Sequence, residues 1–249
     1  MERKKSRKAL KIALFIVSGI ITLCLAALII CMIPCRTEDA AAAAISDADG
    51  VTVRTLDGGD TAYIPEGEII AGLIFYPGAR IKNDAYAPLM YSLAKEGILA
   101  VSLKVPFNLS FFDVGAADGI REEFPQVQSW YIGGHSLGAS VAGLYLDDHA
   151  QDFDGLVMFA GFVISDLSDT GLDVISIYGD RDGVLTGGLY EKYFAYLPDS
   201  TSEYIIEGGN HAGFAYYGDQ AGDGKATITK ETQIELCTRY LIGKIKETK

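Results

Sequence analysis

The hydrophobic pattern consists of short, continuous apolar runs separated by stretches in which apolar residues recur at helical spacing. Continuous runs predict strands covered on both faces, because such strands lack the polar alternation of half-exposed ones. A small hairpin is expected first, around Val51–Val53 and Thr61–Ile64. Six buried strands are predicted after it, at Ile69–Tyr76, Ile98–Lys104, Ser129–Gly133, Gly155–Ala160, Asp173–Tyr178 and Glu203–Ile206.

Helical spacing marks three further stretches. Their apolar faces comprise Tyr86, Leu89, Met90 and Leu93, then Leu137, Val141, Leu144 and Tyr145, and finally Ile234, Cys237, Leu241 and Ile245. Another helix is predicted from Asp113 to Phe124, ahead of Pro125. Because parallel strands need a crossover connection to return the chain, the alternation predicts an α/β fold with a doubly wound, mostly parallel sheet.

An uncharged apolar segment precedes this pattern. It runs from Ile12 to Ile33, and its 22 residues would span about 33 Å as a helix, enough to cross the hydrocarbon core of a bilayer. Six Lys and Arg side chains lie in residues 1–11, and positive charge beside an apolar span favours the cytoplasmic side. We therefore predict one N-terminal transmembrane helix, with the folded domain on the extracytoplasmic side of the cell membrane.

The chain divides on this basis into four segments. They are a cytoplasmic basic tail (1–11), a transmembrane anchor or signal segment (12–34), a linker (35–50) and a folded domain (51–249). The alternative for the second segment is a cleaved signal peptide, with the alanines at 40–44 as the cleavage site and secretion as the outcome. The apolar stretch is longer than the roughly 7 to 15 residues of a signal peptide, which favours an uncleaved anchor.

Charge and cysteine content narrow the class of protein. The chain of 249 residues has a formal net charge of −12, and because residues 1–11 carry +5, the remainder carries −17. A domain that acidic repels phosphate backbones, so nucleic acid is not an expected partner. Only one cysteine, Cys237, lies in the predicted domain, which excludes a disulfide framework there.

The sequence Gly134-His135-Ser136-Leu137-Gly138 carries the most informative chemistry. It follows a predicted strand and opens a predicted helix, the setting in which a Gly-x-Ser-x-Gly turn holds its serine in a strained conformation above the sheet. Ser136 is therefore the candidate nucleophile, and the Leu137 amide lies beside the position of a developing oxyanion. The alternative is a turn whose serine only caps the helix.

Two further residues complete a candidate triad. Asp182 lies in the loop after the strand Asp173–Tyr178, and Asp180 in the same loop is the alternative acid. His211 follows the last predicted strand and is the candidate base. Their chain order, and their location after successive strands, are typical of serine hydrolases built on parallel sheets. Two acids and one histidine do not favour a metal site, and neither a metal nor an organic cofactor is expected.

Three stretches, Gly72–Ala79, Lys104–Leu109 and Gly133–Gly138, carry a family resemblance. Through them, residues 69–245 resemble the α/β-hydrolase superfamily, and in particular the compact bacterial group called α/β-hydrolase family 5. The resemblance implies a Ser-Asp-His triad. It also implies an oxyanion hole with the Ala79 amide as the donor paired with Leu137, in a stretch where Pro77-Gly78-Ala79 replaces the His-Gly-x of many relatives.

The predicted function is that of a serine hydrolase acting on a small-molecule ester or other acyl substrate through an acyl enzyme. Only residues Gly161–Gly171 separate two predicted strands, which leaves no room for an elaborate lid and favours short-chain, carboxylesterase-like substrates. Phe107 and Asn108 are candidate pocket residues, with packing beneath their loop as the alternative. The alternatives for function are a noncatalytic, envelope-anchored binding module and an acyltransferase that uses the same triad.

Overall fold

The apolar runs form one eight-stranded sheet in a computed structural model that describes residues 11, 14–23, 33–43, 49–185 and 187–248. The strands are β1 (Val51–Thr55), β2 (Thr61–Pro65), β3 (Ala71–Tyr76), β4 (Ile98–Ser102), β5 (Trp130–His135), β6 (Gly155–Phe159), β7 (Asp173–Gly179) and β8 (Ser202–Ile206). Their order across the sheet is β1-β2-β4-β3-β5-β6-β7-β8. The β1–β2 and β2–β4 pairs are antiparallel and the others parallel. The predicted mostly parallel α/β sheet is confirmed.

Helices cover both faces of this sheet. They are α1 (Asp39–Ala43), α2 (Ala87–Lys95), α3 (Ile120–Glu123), α4 (Leu137–His149), α5 (Gly187–Phe194) and α6 (Lys230–Glu247). Alternate residues of β3 enter two separate cores: Leu73 and Phe75 pack with α2 and α6, whereas Ile74 and Tyr76 pack with α4. Strands β3 to β6 are consequently buried along their whole length, as a doubly wound sheet requires.

The helix predicted from Asp113 to Phe124 is interrupted. The structure contains a short 3-10 turn at Val114–Ala117 and the single helical turn α3 instead. Gly119 separates them with a left-handed backbone, at φ 78°. A residue in that conformation cannot continue a right-handed helix, and glycine adopts it without steric cost. The prediction of one continuous helix was therefore wrong, because the spacing of apolar residues takes no account of a glycine that interrupts the helical backbone.

Residues 1–33 form a unit separate from the unit Pro34–Lys249. Residues 14–23 are helical, and the side chains of this stretch are exposed. Across the residues that the structure describes, no helix combines the length and the apolar character needed to cross a membrane. Much of the predicted 12–34 segment, and residues 1–10 of the predicted basic tail, lie outside the described residues.

Residues 34–43, which we call the strap, pack against the folded unit. The Cys35 amide donates to the carbonyl of Arg80 (2.7 Å), and the Glu38 amide donates to the carbonyl of Tyr216 (2.8 Å). The Glu38 side chain also forms an ion pair with Lys230 at 3.0 Å. Ala41 is completely buried. The first part of the predicted linker is thus fixed to loops of the domain by several interactions.

Candidate active site

Ser136 occupies the sharp turn between β5 and α4. Its backbone has φ 54° and ψ −120°, a strained combination for a residue with a side chain. Neighbouring glycines make the turn possible, because a Cβ at Gly138 would clash with the carbonyl oxygen of Tyr76 and one at Gly134 would clash with the backbone of Gly138. The end of β5 can therefore approach α4 and β3 closely. Ser136 itself remains partly exposed.

His211 and Asp182 form a buried pair. Nδ1 of His211 lies 2.8 Å from Oδ2 of Asp182, and the two side chains are only 2% and 3% exposed. The other carboxylate oxygen, Oδ1, accepts hydrogen bonds from the amides of Val184 (2.8 Å) and Leu185 (2.7 Å). A carboxylate can only accept a hydrogen bond. Nδ1 of His211 therefore carries the hydrogen, and Nε2 is left as the basic nitrogen.

Asp180, the alternative acid, has a different role. Its Oδ1 accepts a hydrogen bond from the Gly208 amide at 2.7 Å and lies 3.7 Å from Nε of Arg181. Asp180 thus ties its own loop to the loop that precedes His211, while Asp182 contacts the imidazole. Within the described parts of the chain, no group of three or more histidine, cysteine or acidic side chains is arranged to hold a metal ion.

His211, the candidate base, packs against the turn that carries Ser136, the candidate nucleophile. The ring centroid of His211 lies 4.6 Å from that of His135, the residue immediately before Ser136. Nε2 of His211 is buried, and no hydrogen-bond partner for it exists among the described residues. No hydrogen bond therefore joins Ser136 to His211 in this structure. Such bonds are often long or misaligned without substrate and tighten when the substrate binds.

Two backbone amides are available where the oxyanion hole was predicted. In residues 77–80, which we call the oxyanion loop after the role predicted for them, the Gly78 amide donates to the Tyr86 hydroxyl and the Arg80 amide donates to the Asn108 carbonyl. The Ala79 amide between them has no acceptor in the described part of the chain, and the same holds for Leu137 at the start of α4. Ala79 is an exposed residue, as a donor to a bound ligand would need to be.

The predicted pocket residues lie in a strained loop beside the oxyanion loop. Phe107 and Asn108 both have φ 55°, and the Asn108 carbonyl accepts from the Arg80 amide at 2.6 Å. Phe107 is 55% exposed, and its ring packs edge-on against that of Phe112 with centroids 5.7 Å apart. The structure therefore joins Asn108 to the oxyanion loop through its backbone and leaves Phe107 at the surface. A role for either in binding substrate stays a prediction.

Asp223 is a site residue that the sequence analysis missed. Its carboxylate accepts hydrogen bonds from the amides of Gly183 (3.1 Å), His211 (3.2 Å), Ala212 (2.9 Å) and Gly224 (2.8 Å). Gly183 follows the catalytic acid candidate and Ala212 follows the base candidate. The Asp223 side chain thus fixes the loop that contains Asp182, which we call the acid loop, to the loop that contains His211, which we call the base loop. Asp223 lies in an irregular loop, where no periodicity or motif distinguishes it.

A cavity of about 600 Å³ lies on another side of the acid loop. Its lining includes Asp182, Tyr190 and Glu203 and does not include Ser136. Tyr190 donates to Glu203 at 2.8 Å, and Ser176 lies within hydrogen-bonding distance of the same hydroxyl. Because Ser136 is absent from its lining and the Asp182 side chain is almost fully buried, we do not assign the cavity to the reacting substrate.

The sequence profile described as the alpha/beta hydrolase family matches residues 72–235. The chain belongs to the alpha/beta hydrolase family. The family resemblance predicted from the sequence is therefore confirmed. This hydrolase has no match among curated proteins.

Solved structures share the fold of this alpha/beta hydrolase. A predicted CIB-like hydrolase from Thermoplasma acidophilum is 12% identical, over 78% of this chain and 98% of that chain, with a TM-score of 0.57. Est1E from Butyrivibrio proteoclasticus is 14% identical, over 80% and 100%, with a TM-score of 0.55. A dienelactone hydrolase from Anabaena variabilis is 13% identical, over 78% and 99%, with a TM-score of 0.56. At these identities the likeness is one of fold.

Proposed function

We propose that this alpha/beta hydrolase is a serine hydrolase that cleaves ester or other acyl bonds through an acyl enzyme on Ser136. The observation that carries the proposal is the buried His211–Asp182 pair, packed against the strained turn that holds Ser136. A histidine oriented by a carboxylate beside a serine at a strand-to-helix turn is the arrangement that activates a hydroxyl as a nucleophile.

The proposed reaction begins when Nε2 of His211 takes the hydroxyl proton of Ser136 and Oγ attacks the acyl carbonyl. The carbonyl oxygen becomes an oxyanion that accepts hydrogen bonds from the Ala79 and Leu137 amides. Collapse of this intermediate expels the alcohol, which receives the proton from His211. Water then attacks the acyl enzyme with His211 as base, which releases the acid and restores Ser136, while Asp182 stabilises the charged imidazole throughout.

The proposed substrates are esters with small or short acyl groups. The structure describes every residue of the connection from Phe159 to Asp173, and this connection contains no helix. No lid at this position therefore encloses a long acyl chain. Turnover of p-nitrophenyl acetate and butyrate is expected to exceed that of the palmitate ester in detergent solution. Faster turnover of the palmitate ester would contradict this part of the proposal and leave the triad untouched.

The decisive experiment is intact-mass analysis of the full chain, in detergent, after exposure to a fluorophosphonate. We expect a single adduct on the wild type and none on Ser136→Ala. The matched control is Ser140→Ala, which removes a serine hydroxyl one turn later in α4 and retains the nucleophile. If folded wild-type protein forms no adduct, the proposal fails and the noncatalytic binding module becomes the better explanation of the fold.

We also propose that residues 12–34 anchor the hydrolase in the cell membrane with its domain outside the cytoplasm. The uncharged segment and the six basic side chains before it support this location. The test is alkaline extraction of membranes from cells that express the full chain, followed by protease digestion of intact spheroplasts. Release by alkali, or protection of the domain from protease, would each contradict the proposal.

A further inference from the structure

Two buried side chains connect the oxyanion loop to the loop of the base. The Gly78 amide donates to the hydroxyl of Tyr86 at 2.9 Å. The same hydroxyl lies 2.9 Å from Nδ1 of His135, and Nε2 of His135 lies 3.1 Å from the carbonyl oxygen of His211. We call this chain of three hydrogen bonds the bridge. It begins next to the proposed oxyanion donor Ala79 and ends on the backbone of the proposed base.

The donor and acceptor of every hydrogen bond in the bridge follow from the two groups at the ends of the bridge, an amide and a carbonyl. A carbonyl oxygen only accepts, so Nε2 of His135 carries the hydrogen that it shares with His211. Burial, together with the neighbouring His211, holds the pKa of His135 well below its ordinary value, which keeps its ring neutral and Nδ1 an acceptor. The Tyr86 hydroxyl therefore donates to Nδ1, and its oxygen accepts the Gly78 amide.

The bridge is buried in the core of the domain. Tyr86 and His135 are both completely buried, and their rings pack edge to face with centroids 5.8 Å apart. The pKa of Tyr86 is raised well above its ordinary value by burial and by the nearby Tyr217, so the hydroxyl keeps its hydrogen. At Gly78, a Cβ would lie 2.9 Å from Nδ1 of His135 and 3.0 Å from the Tyr86 hydroxyl, which is too close for a side chain.

Resting on the proposed function, we propose that Tyr86 and His135 are positioning residues that fix the Ala79 amide and the His211 imidazole in their reacting geometry. Neither side chain need touch the substrate. Oxyanion stabilisation depends on donors that are already in place when the charge develops. A bridge between backbone atoms of the two loops supplies this constraint, because a shift of either loop breaks at least one of its hydrogen bonds.

The test compares hydroxyl and imidazole variants in the full chain. Tyr86→Phe removes both hydrogen bonds of the hydroxyl and keeps the ring, and His135→Phe removes both bonds of the imidazole. His135→Gln retains an amide donor for the His211 carbonyl. The matched control is Tyr63→Phe, since Tyr63 is also a fully buried tyrosine and its hydroxyl has no hydrogen-bond partner in the described structure.

The expected signature is a loss in the transition state with little change in substrate binding. For Tyr86→Phe we expect kcat on p-nitrophenyl acetate to fall by about tenfold to a hundredfold, with KM nearly unchanged, because small misplacements of reacting groups have effects of that size. Affinity for a boronic acid, which mimics the tetrahedral intermediate, should fall by a similar factor. Tyr63→Phe should match the wild type in all three, and His135→Gln should exceed His135→Phe in kcat.

The outcomes separate this proposal from the proposed function. If Ser136 is labelled by fluorophosphonate in the wild type, and Tyr86→Phe and His135→Gln both keep wild-type kcat and boronic acid affinity, the bridge has no positioning role. The same conclusion follows if KM rises in parallel with the loss of affinity for the boronic acid. If Tyr86→Phe does not fold, His135→Gln compared with His135→Phe decides the question. A wild type that fails to label overturns both proposals.

Discussion

The carboxylate of Asp182 lies 2.8 Å from Nδ1 of His211, whereas Asp180, two residues earlier, accepts a hydrogen bond from the Gly208 amide. The two acids share a loop and a chemical type, yet only one of them contacts the imidazole. The Asp182 side chain is almost completely buried, and its second oxygen accepts hydrogen bonds from two backbone amides. This difference makes the two positions a matched pair for mutation.

Asp182→Asn is expected to lower kcat by about 10³- to 10⁴-fold, because an amide in place of the carboxylate favours the wrong tautomer of His211. Asp180→Asn changes the charge by the same amount and should leave kcat within a few fold of wild type. Steady-state kinetics on p-nitrophenyl acetate measures both. Equal losses at the two positions would contradict the assignment of the acid.

Asp223→Asn should lower both stability and turnover. The amide group cannot accept all four backbone hydrogen bonds that the carboxylate accepts, so we expect a loss of about 1–3 kcal/mol in the free energy of unfolding. Because the acid and base loops lose their shared acceptor, kcat should fall as well. Urea unfolding and kinetics provide the measurements, with Asp219→Asn as the control for charge at an exposed position of the same loop. Identical behaviour of the two variants would show that Asp223 does not hold the acid and base loops together.

His135 makes the stability of the fold sensitive to acid. Its pKa in the folded state is held well below 6.5 by burial, whereas in the unfolded chain it is near that value. Below pH 6.5 unfolding therefore takes up a proton at this residue, and the free energy of unfolding decreases as the pH falls. The free energy of unfolding falls by about 1.4 kcal/mol for each pH unit between pH 6.5 and the folded-state pKa. Above pH 6.5 His135 causes no such loss of stability.

The measurement is urea unfolding of the wild type and His135→Gln between pH 7.5 and pH 5. The variant lacks the titrating group and should lose stability less steeply below pH 6.5. Other acids that titrate in this range contribute to both proteins and cancel in the difference. Parallel curves for the two proteins would show that His135 binds its proton equally well in the folded and unfolded states.

The central fold could be predicted because its strands are short apolar runs and its helices have apolar faces. The Gly134–Gly138 turn identified Ser136 as the candidate nucleophile, and the structure places it in the strained turn that the sequence predicted, since a strained serine needs small neighbours on both sides. Tyr86 was predicted only as part of a helix face, because its hydroxyl acquires a partner through tertiary packing. The roles of Asp223 and the strap could not be predicted from the sequence. Asp223 accepts from backbone amides of distant loops, and the strap amides donate to backbone carbonyls of distant loops, and contacts to backbone atoms leave no pattern in the side chains.

Removal of the strap should weaken the proposed active site. The Cys35 amide holds the carbonyl of Arg80, at the end of the oxyanion loop. A chain that begins at residue 34 should therefore react with fluorophosphonate faster than one that begins at residue 46, by about tenfold if the loop shifts by a fraction of an ångström. Thermal unfolding measured in parallel separates a local change from loss of the fold. Equal labelling rates would mean that the strap is only a tether.

The same contact gives a chemical consequence to the alternative in which the chain is cleaved at the alanines. The alanines at 40–44 follow the residues that bind Arg80 and Tyr216. A peptidase that cuts there would release the domain and, in the same step, leave the oxyanion loop without one of its supports. A cut before residue 34 would release the domain with this support intact. The anchored form and a form released by a cut before residue 34 would then share the same supported oxyanion loop, whereas a form cut at residues 40–44 would lack this support and would be a different catalyst.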